Sequence, residues 1–261
     1  MEKSTTLSAL LPREPFCSPP EGAEDIVVPL AGGTLTVRQY LTETVGPHLF
    51  FFPAEKDSPD HYHDLGQNLN KEGVSLSIIA YRGQNAGEGE ATWGNIFDDA
   101  LAAFDFLLRY LEERGRYSPI ALLGRSLGAG IALRIAVERA SKVWALVLDS
   151  PIIDGRAWLS YRGLASEEDP FQIEKYIKKW TKPLLIFQAQ LDEEVSLPQA
   201  EKLLIFCPGR NKKLLIMPGY HREETIERGG LLYAETIAEL LNRLVGRFKK
   251  KDFTKGRSYE P

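Results

Sequence analysis

The feature that most constrains this chain is a regular alternation of short apolar runs with amphipathic helical patterns. Ile26–Leu30 and Thr34–Leu41 flank Gly32-Gly33 and read as a β-hairpin. His48–Phe52, Val74–Tyr81, Pro119–Leu123, Val143–Leu148, Pro183–Phe187 and Lys213–Met217 follow as further apolar runs. Between several of them lie residues at helical spacing. The clearest set is Ile96, Phe97, Ala100, Leu101, Phe104, Leu107, Leu108 and Leu111; Leu127–Glu138, Pro198–Phe206 and Glu223–Leu244 are others. Runs of about five apolar residues that alternate with helices predict an α/β fold. Its sheet is expected to be mostly parallel and twisted, with helices on both faces and the hairpin at its N-terminal edge. In such sheets ligands bind beyond the carboxyl ends of the strands, so functional residues are sought just after each run.

Composition narrows the function classes. Of 261 residues, 43% are hydrophobic and 26% charged, which is ordinary for a globular domain with a sizeable core. Net charge is −4, with 32 basic and 36 acidic residues, so no overall affinity for nucleic acid or anionic membrane is expected. Cys17 and Cys207 are too few for a disulfide framework. No apolar run reaches the ~20 residues of a membrane span, and Leu7–Leu11, cut off by Pro12, is too short for a secretory signal. A cytoplasmic protein without a membrane span is expected. No H-E-x-x-H pattern or phosphate-cradling glycine motif is present, and His61 with His63 is a weak metal pair, so no cofactor is expected.

The proline-bearing residues 1–24 read as an extended N-terminal arm. Residues 25–246 form one domain, within which 151–181 is a short lid-like insert. Residues 247–261 form a basic tail. Trp158, Tyr161, Phe171, Tyr176 and Trp180 make the insert rich in aromatic rings, suited either to an apolar wall over a site or to packing the insert onto the body.

The turn Gly124-Arg125-Ser126-Leu127-Gly128 stands directly between the Pro119–Leu123 run and a helical pattern. G-x-S-x-G in that context places a serine on a sharp, strained turn, with its hydroxyl above the sheet. Glycine two positions to either side makes room for the neighbouring strand and helix. A serine hydroxyl needs a base within hydrogen-bond reach. His221 follows the last apolar run, in Pro218-Gly219-Tyr220-His221, and is the candidate base. His61 and His63 could approach the site but read as surface residues, and His48 opens a strand at the wrong end. Asp192, after the Pro183–Phe187 run, is the candidate orienting acid. Glu193, Glu194 and Asp149 remain rivals.

With these residues the chain resembles the α/β-hydrolase superfamily, and most of all a small single-domain serine hydrolase with a minimal lid. The resemblance rests on the serine turn, on Tyr81-Arg82-Gly83, on Asp192 with Val195, and on His221. It implies nucleophilic attack by Ser126, with His221 as base and Asp192 as its orienting partner. It also implies an oxyanion hole made by the backbone N–H of Leu127 and one from the loop after the third strand. That loop reads Phe51-Phe52-Pro53-Ala54-Glu55, where the family usually has His-Gly. Pro53 has no N–H, so Ala54 or Glu55 must donate. The expected partner is a small-molecule acyl substrate, cleaved at an ester, thioester or amide through an acyl-enzyme. The alternative is a catalytically silent binding protein on the same fold.

Overall fold

The computed structural model describes residues 7, 9–11, 17–84, 87–164 and 168–254, with side chains as far as residue 246. Eight strands form one sheet: β1 (Glu24–Leu30), β2 (Gly33–Tyr40), β3 (His48–Phe52), β4 (Ser75–Ile79), β5 (Ile120–Arg125), β6 (Val143–Asp149), β7 (Leu184–Ala189) and β8 (Lys212–Met217). Their spatial order is β1-β2-β4-β3-β5-β6-β7-β8. β1 and β2 form the expected hairpin, β2 pairs antiparallel with β4, and every pairing from β4 through β8 is parallel. The connecting helices are α1 (His63–Lys71), α2 (Ile96–Glu113), α3 (Leu127–Glu138), α4 (Gly155–Tyr161), α5 (Ile173–Ile177), α6 (Leu197–Phe206) and α7 (Thr225–Thr254).

Both faces of the sheet are covered, which explains why β3, β4 and β5 read as unbroken apolar runs rather than alternating ones. On one face Phe50, Leu122 and Leu148 meet Phe104 of α2, Ile131 of α3 and the rings of the insert. On the other, Phe51, Leu123, Val147 and Phe187 meet Leu65 and Leu69 of α1, and Tyr233, Ile237 and Leu241 of α7. At about 25 cal/mol per Å² of apolar surface, these two layers supply most of the driving force for folding.

Three expectations need revision or refinement. Residues 1–24 are not simply an extended arm: Leu7, Leu10 and Leu11 are buried in the α2-side core, and the Leu7 N–H donates to Ala91 O at 2.8 Å. Their apolar side chains outweigh the prolines beside them; the rest of that arm falls partly outside the described residues. The last helix continues to Thr254 through the first half of the basic tail, and it is broken internally at Gly230 (φ 48°, ψ −124°). Residues 255–261 of the tail lie outside the described residues. The insert carries α4 and α5, and its rings divide. Trp158, Phe171 and Trp180 are buried, whereas Tyr161 is 76% exposed. Phe171 lies so close to α3 that a Cβ on Gly130 would come within 2.6 Å of its ring. Packing onto the body is therefore the main work of the buried rings.

Candidate active site

The sheet's parallel strands deliver their loops to one edge, and Ser126 sits there between β5 and α3. It is the residue immediately before the helix, with φ 54° and ψ −116°. A side chain at positive φ pays conformational strain, which persists only where the surroundings enforce it. The surroundings do so. Ser126 N–H donates to Asp149 O at 3.0 Å, and Ser126 O accepts from Ala129 N. A Cβ on Gly128 would overlap the carbonyls of Phe52 and Pro53, and one on Gly124 would overlap α3. The two glycines thus let β5, α3 and the β3 loop close around the serine. Leu127 N–H, at the start of α3, belongs to the first turn, whose amides lack an intrahelical acceptor.

Ser126 is only 1% exposed, because charged side chains close over it. Its hydroxyl donates to Glu55 Oε2 at 2.7 Å and accepts from Arg222 Nη2. Arg222 Nη1 also donates to Glu194 Oε2. Arg162 Nη2 bridges Glu55 Oε1 at 3.0 Å and Glu194 Oε1 at 2.7 Å, and its guanidinium lies 4.1 Å above the Trp158 ring. Trp158 Nε1 donates to Glu194 Oε2 at 3.0 Å. Burial alone would push the Glu194 carboxyl upward, but Arg222 and Arg162 outweigh it and hold its pKa below the usual glutamate value. Arg162 Nη1 is buried with no hydrogen-bond partner.

The sequence-derived partners stand where strand order puts them, but they are not joined. His221 follows β8 and is exposed. Its N–H donates to Glu224 Oε2 at 2.7 Å, and its ring makes no hydrogen bond to Ser126. Asp192 follows β7 and faces its own loop. Oδ1 accepts the N–H groups of Glu194 and Val195, both at 2.9 Å, and Oδ2 accepts from Gln188 Nε2 at 3.0 Å. The rival Asp149 turns toward α7. It is fully buried and accepts from Thr225 Oγ1 at 2.7 Å and Tyr233 OH at 3.1 Å, and burial raises its pKa despite these donors and Arg125. His61 instead accepts the Ser58 N–H at 3.2 Å, and His48 is locked in the core against Ser77 Oγ at 2.7 Å. Ala54 O accepts from Asp57 N at 3.2 Å, which curls the β3 loop so that the Glu55 side chain, considered beforehand only as a backbone donor, reaches the serine. Neither Glu55 nor Arg222 carried a motif that marked it.

A family profile described as serine aminopeptidase, S33, matches residues 49–166. That range runs from β3 into the insert and includes Ser126, but not Asp192 or His221. Among solved structures, the Pyrococcus furiosus esterase Pf2001 superposes with a TM-score of 0.75 at 19% identity, covering 90% of this chain and 97% of that one. A soluble variant of monoglyceride lipase from Saccharomyces cerevisiae gives 0.72 at 15%, covering 88% and 98%. With this strand order, the chain has the α/β-hydrolase fold. By sequence it is similar to human Protein ABHD12B, 25% identical over 193 residues, which is 63% of this chain and 52% of the relative. It is also similar to the lysophosphatidylserine lipase ABHD12 of Danio rerio, 25% identical over 165 residues, 55% and 42% of the two chains. The chain therefore spans about half the length of these two relatives. Among the described residues, no helix is long and apolar enough to cross a membrane, and no group of three or more His, Cys, Asp or Glu could hold a metal.

Proposed function

We propose that this protein hydrolyses a carboxylic ester through a covalent acyl-enzyme, with Ser126 as the nucleophile. The observation that carries the reading is the Ser126 backbone at φ 54°, a strained serine held at a strand-to-helix junction. Ser126 Oγ bonds to the ester carbonyl carbon as its proton passes to His221. The carbonyl oxygen gathers the negative charge, met by the N–H groups of Leu127 and Ala54. The C–O bond to the leaving group then breaks and His221 returns the proton to the departing alcohol. Water, deprotonated by His221, cleaves the acyl-enzyme in turn. Asp192 fixes the imidazole tautomer and stabilises the imidazolium without taking the proton. Support for these partners comes from their places at the carboxyl ends of β7 and β8. A cleft of about 120 Å³ between Ile152, Trp158, Tyr161 and Glu194 lies beside the carboxylate that Arg222 and Arg162 grip, though Ser126 does not line it. The structural neighbours, an esterase and a monoglyceride lipase, agree with this chemistry. We place the activity in the cytoplasm, where free thiols such as Cys17 and Cys207 persist.

A second reading, a binding protein on the same fold without catalysis, is favoured by one observation: Glu55 and Arg222 occupy both hydrogen-bonding directions of the serine hydroxyl. A series of chromogenic esters and thioesters of increasing acyl length, run on wild type and Ser126→Ala, separates the two. Turnover that vanishes in Ser126→Ala supports the hydrolase; no turnover of any member supports the binding protein.

A further inference from the structure

We propose that Arg222 is a positioning residue that keeps Ser126 closed, and that a twist of residues 219–222 exchanges Arg222 for His221 beside the nucleophile. The inference rests on the hydrolase reading above and concerns how the base reaches the serine.

Arg222 donates to both Ser126 Oγ and Glu194, so its guanidinium takes the space a base would need beside the hydroxyl. The neighbouring residue in sequence is His221, the candidate base, and it is exposed while Arg222 is buried. Adjacent residues on a short turn point in different directions. A rotation that brings one side chain in therefore carries the other out.

The surroundings tolerate that exchange. When Arg222 leaves, Glu194 keeps Arg162 and the Trp158 indole N–H, and Glu55 keeps Arg162. No carboxylate is stranded, because the stacking of Arg162 on Trp158 holds the bridging cation in place. Arg222 regains hydration outside, and a buried ion pair gives little net attraction once desolvation is counted. The serine hydrogen, now directed at Glu55, turns to the imidazole.

The anchors on either side confine the twist to a short segment. Downstream, the Arg222 carbonyl is held by Arg125 Nη2 at 2.8 Å and by Thr225 Oγ1 at 3.3 Å, and Thr225 Oγ1 is tied to Asp149. Upstream, Gly219 has φ +69° with open space beside its Cα. The twist must release the Gly219 N–H from Gln190 Oε1 (2.9 Å), the Tyr220 carbonyl from the Leu191 N–H (2.9 Å) and the His221 N–H from Glu224 Oε2 (2.7 Å). The pivot therefore lies at 219–222, and α7 stays in place. Asp192 can receive the incoming ring, since a carboxylate has about four acceptor positions and three donors reach it at present.

The test is the second-order rate of Ser126 labelling by a fluorophosphonate, measured for wild type, Arg222→Ala, Arg222→Lys and Glu194→Gln, each with and without His221→Ala. Arg222→Ala is expected to label at least tenfold faster than wild type, with the gain abolished by His221→Ala. Arg222→Lys should fall back toward the wild-type rate. Glu194→Gln loosens the hold on Arg222 without touching the serine, and should also accelerate labelling; it serves as the second variant if Arg222→Ala does not fold, as judged by circular dichroism. A folded Arg222→Ala that labels no faster than wild type, or a gain that survives His221→Ala, overturns the exchange while leaving the hydrolase reading intact. No labelling of any folded variant defeats both.

Discussion

The Ser126 hydroxyl donates to Glu55 Oε2 at 2.7 Å, across 71 positions of sequence. Glu55 lies on the β3 loop and Ser126 on the β5 turn, and the contact exists because β3 and β5 are parallel neighbours with Phe52 opposite Gly124. A carboxylate thus stands on the loop that is proposed to supply the second oxyanion donor. It is held there by Arg162, which also grips Glu194.

Glu55→Ala removes an acceptor from both Ser126 and Arg162. Arg162 retains Glu194, so its charge is not abandoned. The expected loss is about 1–3 kcal/mol of unfolding free energy, the scale of a hydrogen bond to a charged group. Urea denaturation reads it as a lower midpoint at unchanged slope.

Gly128→Ala puts a methyl group into the carbonyls of Phe52 and Pro53, which are backbone and cannot swing away. The β3 loop must move, at a cost of at least about 1–3 kcal/mol. The same displacement disturbs the proposed oxyanion donor Ala54, so ester turnover should fall further than stability alone explains. Comparing turnover with the thermal midpoint of the same preparation checks both effects.

Phe171→Ala empties the space between α3 and the insert. Phe171 is buried edge-on against Trp93 and Trp158, with ring centroids 5.7 and 5.8 Å away. A loss of about 3–5 kcal/mol is expected for a large core ring. Faster proteolytic cleavage within 151–181 would show that this ring pins the insert to the body.

His48 supplies a pH dependence with a definite sign. Burial, reinforced by the positive charge of Arg116, lowers its pKa from 6.5 to about 3. The unfolded chain therefore binds a proton below pH 6.5 that the folded chain refuses until about pH 3. Stability contributed by the neutral ring is complete above pH 6.5 and is lost as pH falls through that window, at up to about 1.4 kcal/mol per pH unit. His48→Gln retains a partner for Ser77 Oγ and cannot take up that proton. Urea midpoints between pH 6.5 and 4 should fall less steeply in the variant than in wild type.

The architecture was legible because its signals are local. Five-residue apolar runs, Gly32-Gly33 and the strand–turn–helix around Ser126 depend on neighbours in sequence, and each lies where its pattern indicated. The buried N-terminal leucines were readable in principle: Leu7, Leu10 and Leu11 carry helical spacing, although four prolines in the same segment argued for an extended arm. The closure of the serine was not readable. Arg222 and Ser126 are 96 positions apart, and Arg162 and Glu55 are 107 apart. Which charges meet is decided by side-chain directions on separate loops, and no periodicity records those. His221 and Arg222 are adjacent letters, yet one is exposed and the other buried at the nucleophile.

Whether Ser126 is a working nucleophile is read by mass spectrometry of the protein after exposure to a fluorophosphonate. One phosphonyl adduct is expected, on the peptide that contains Ser126, and none in Ser126→Ala. A folded wild-type protein that stays unmodified at Ser126 under prolonged exposure would contradict that role.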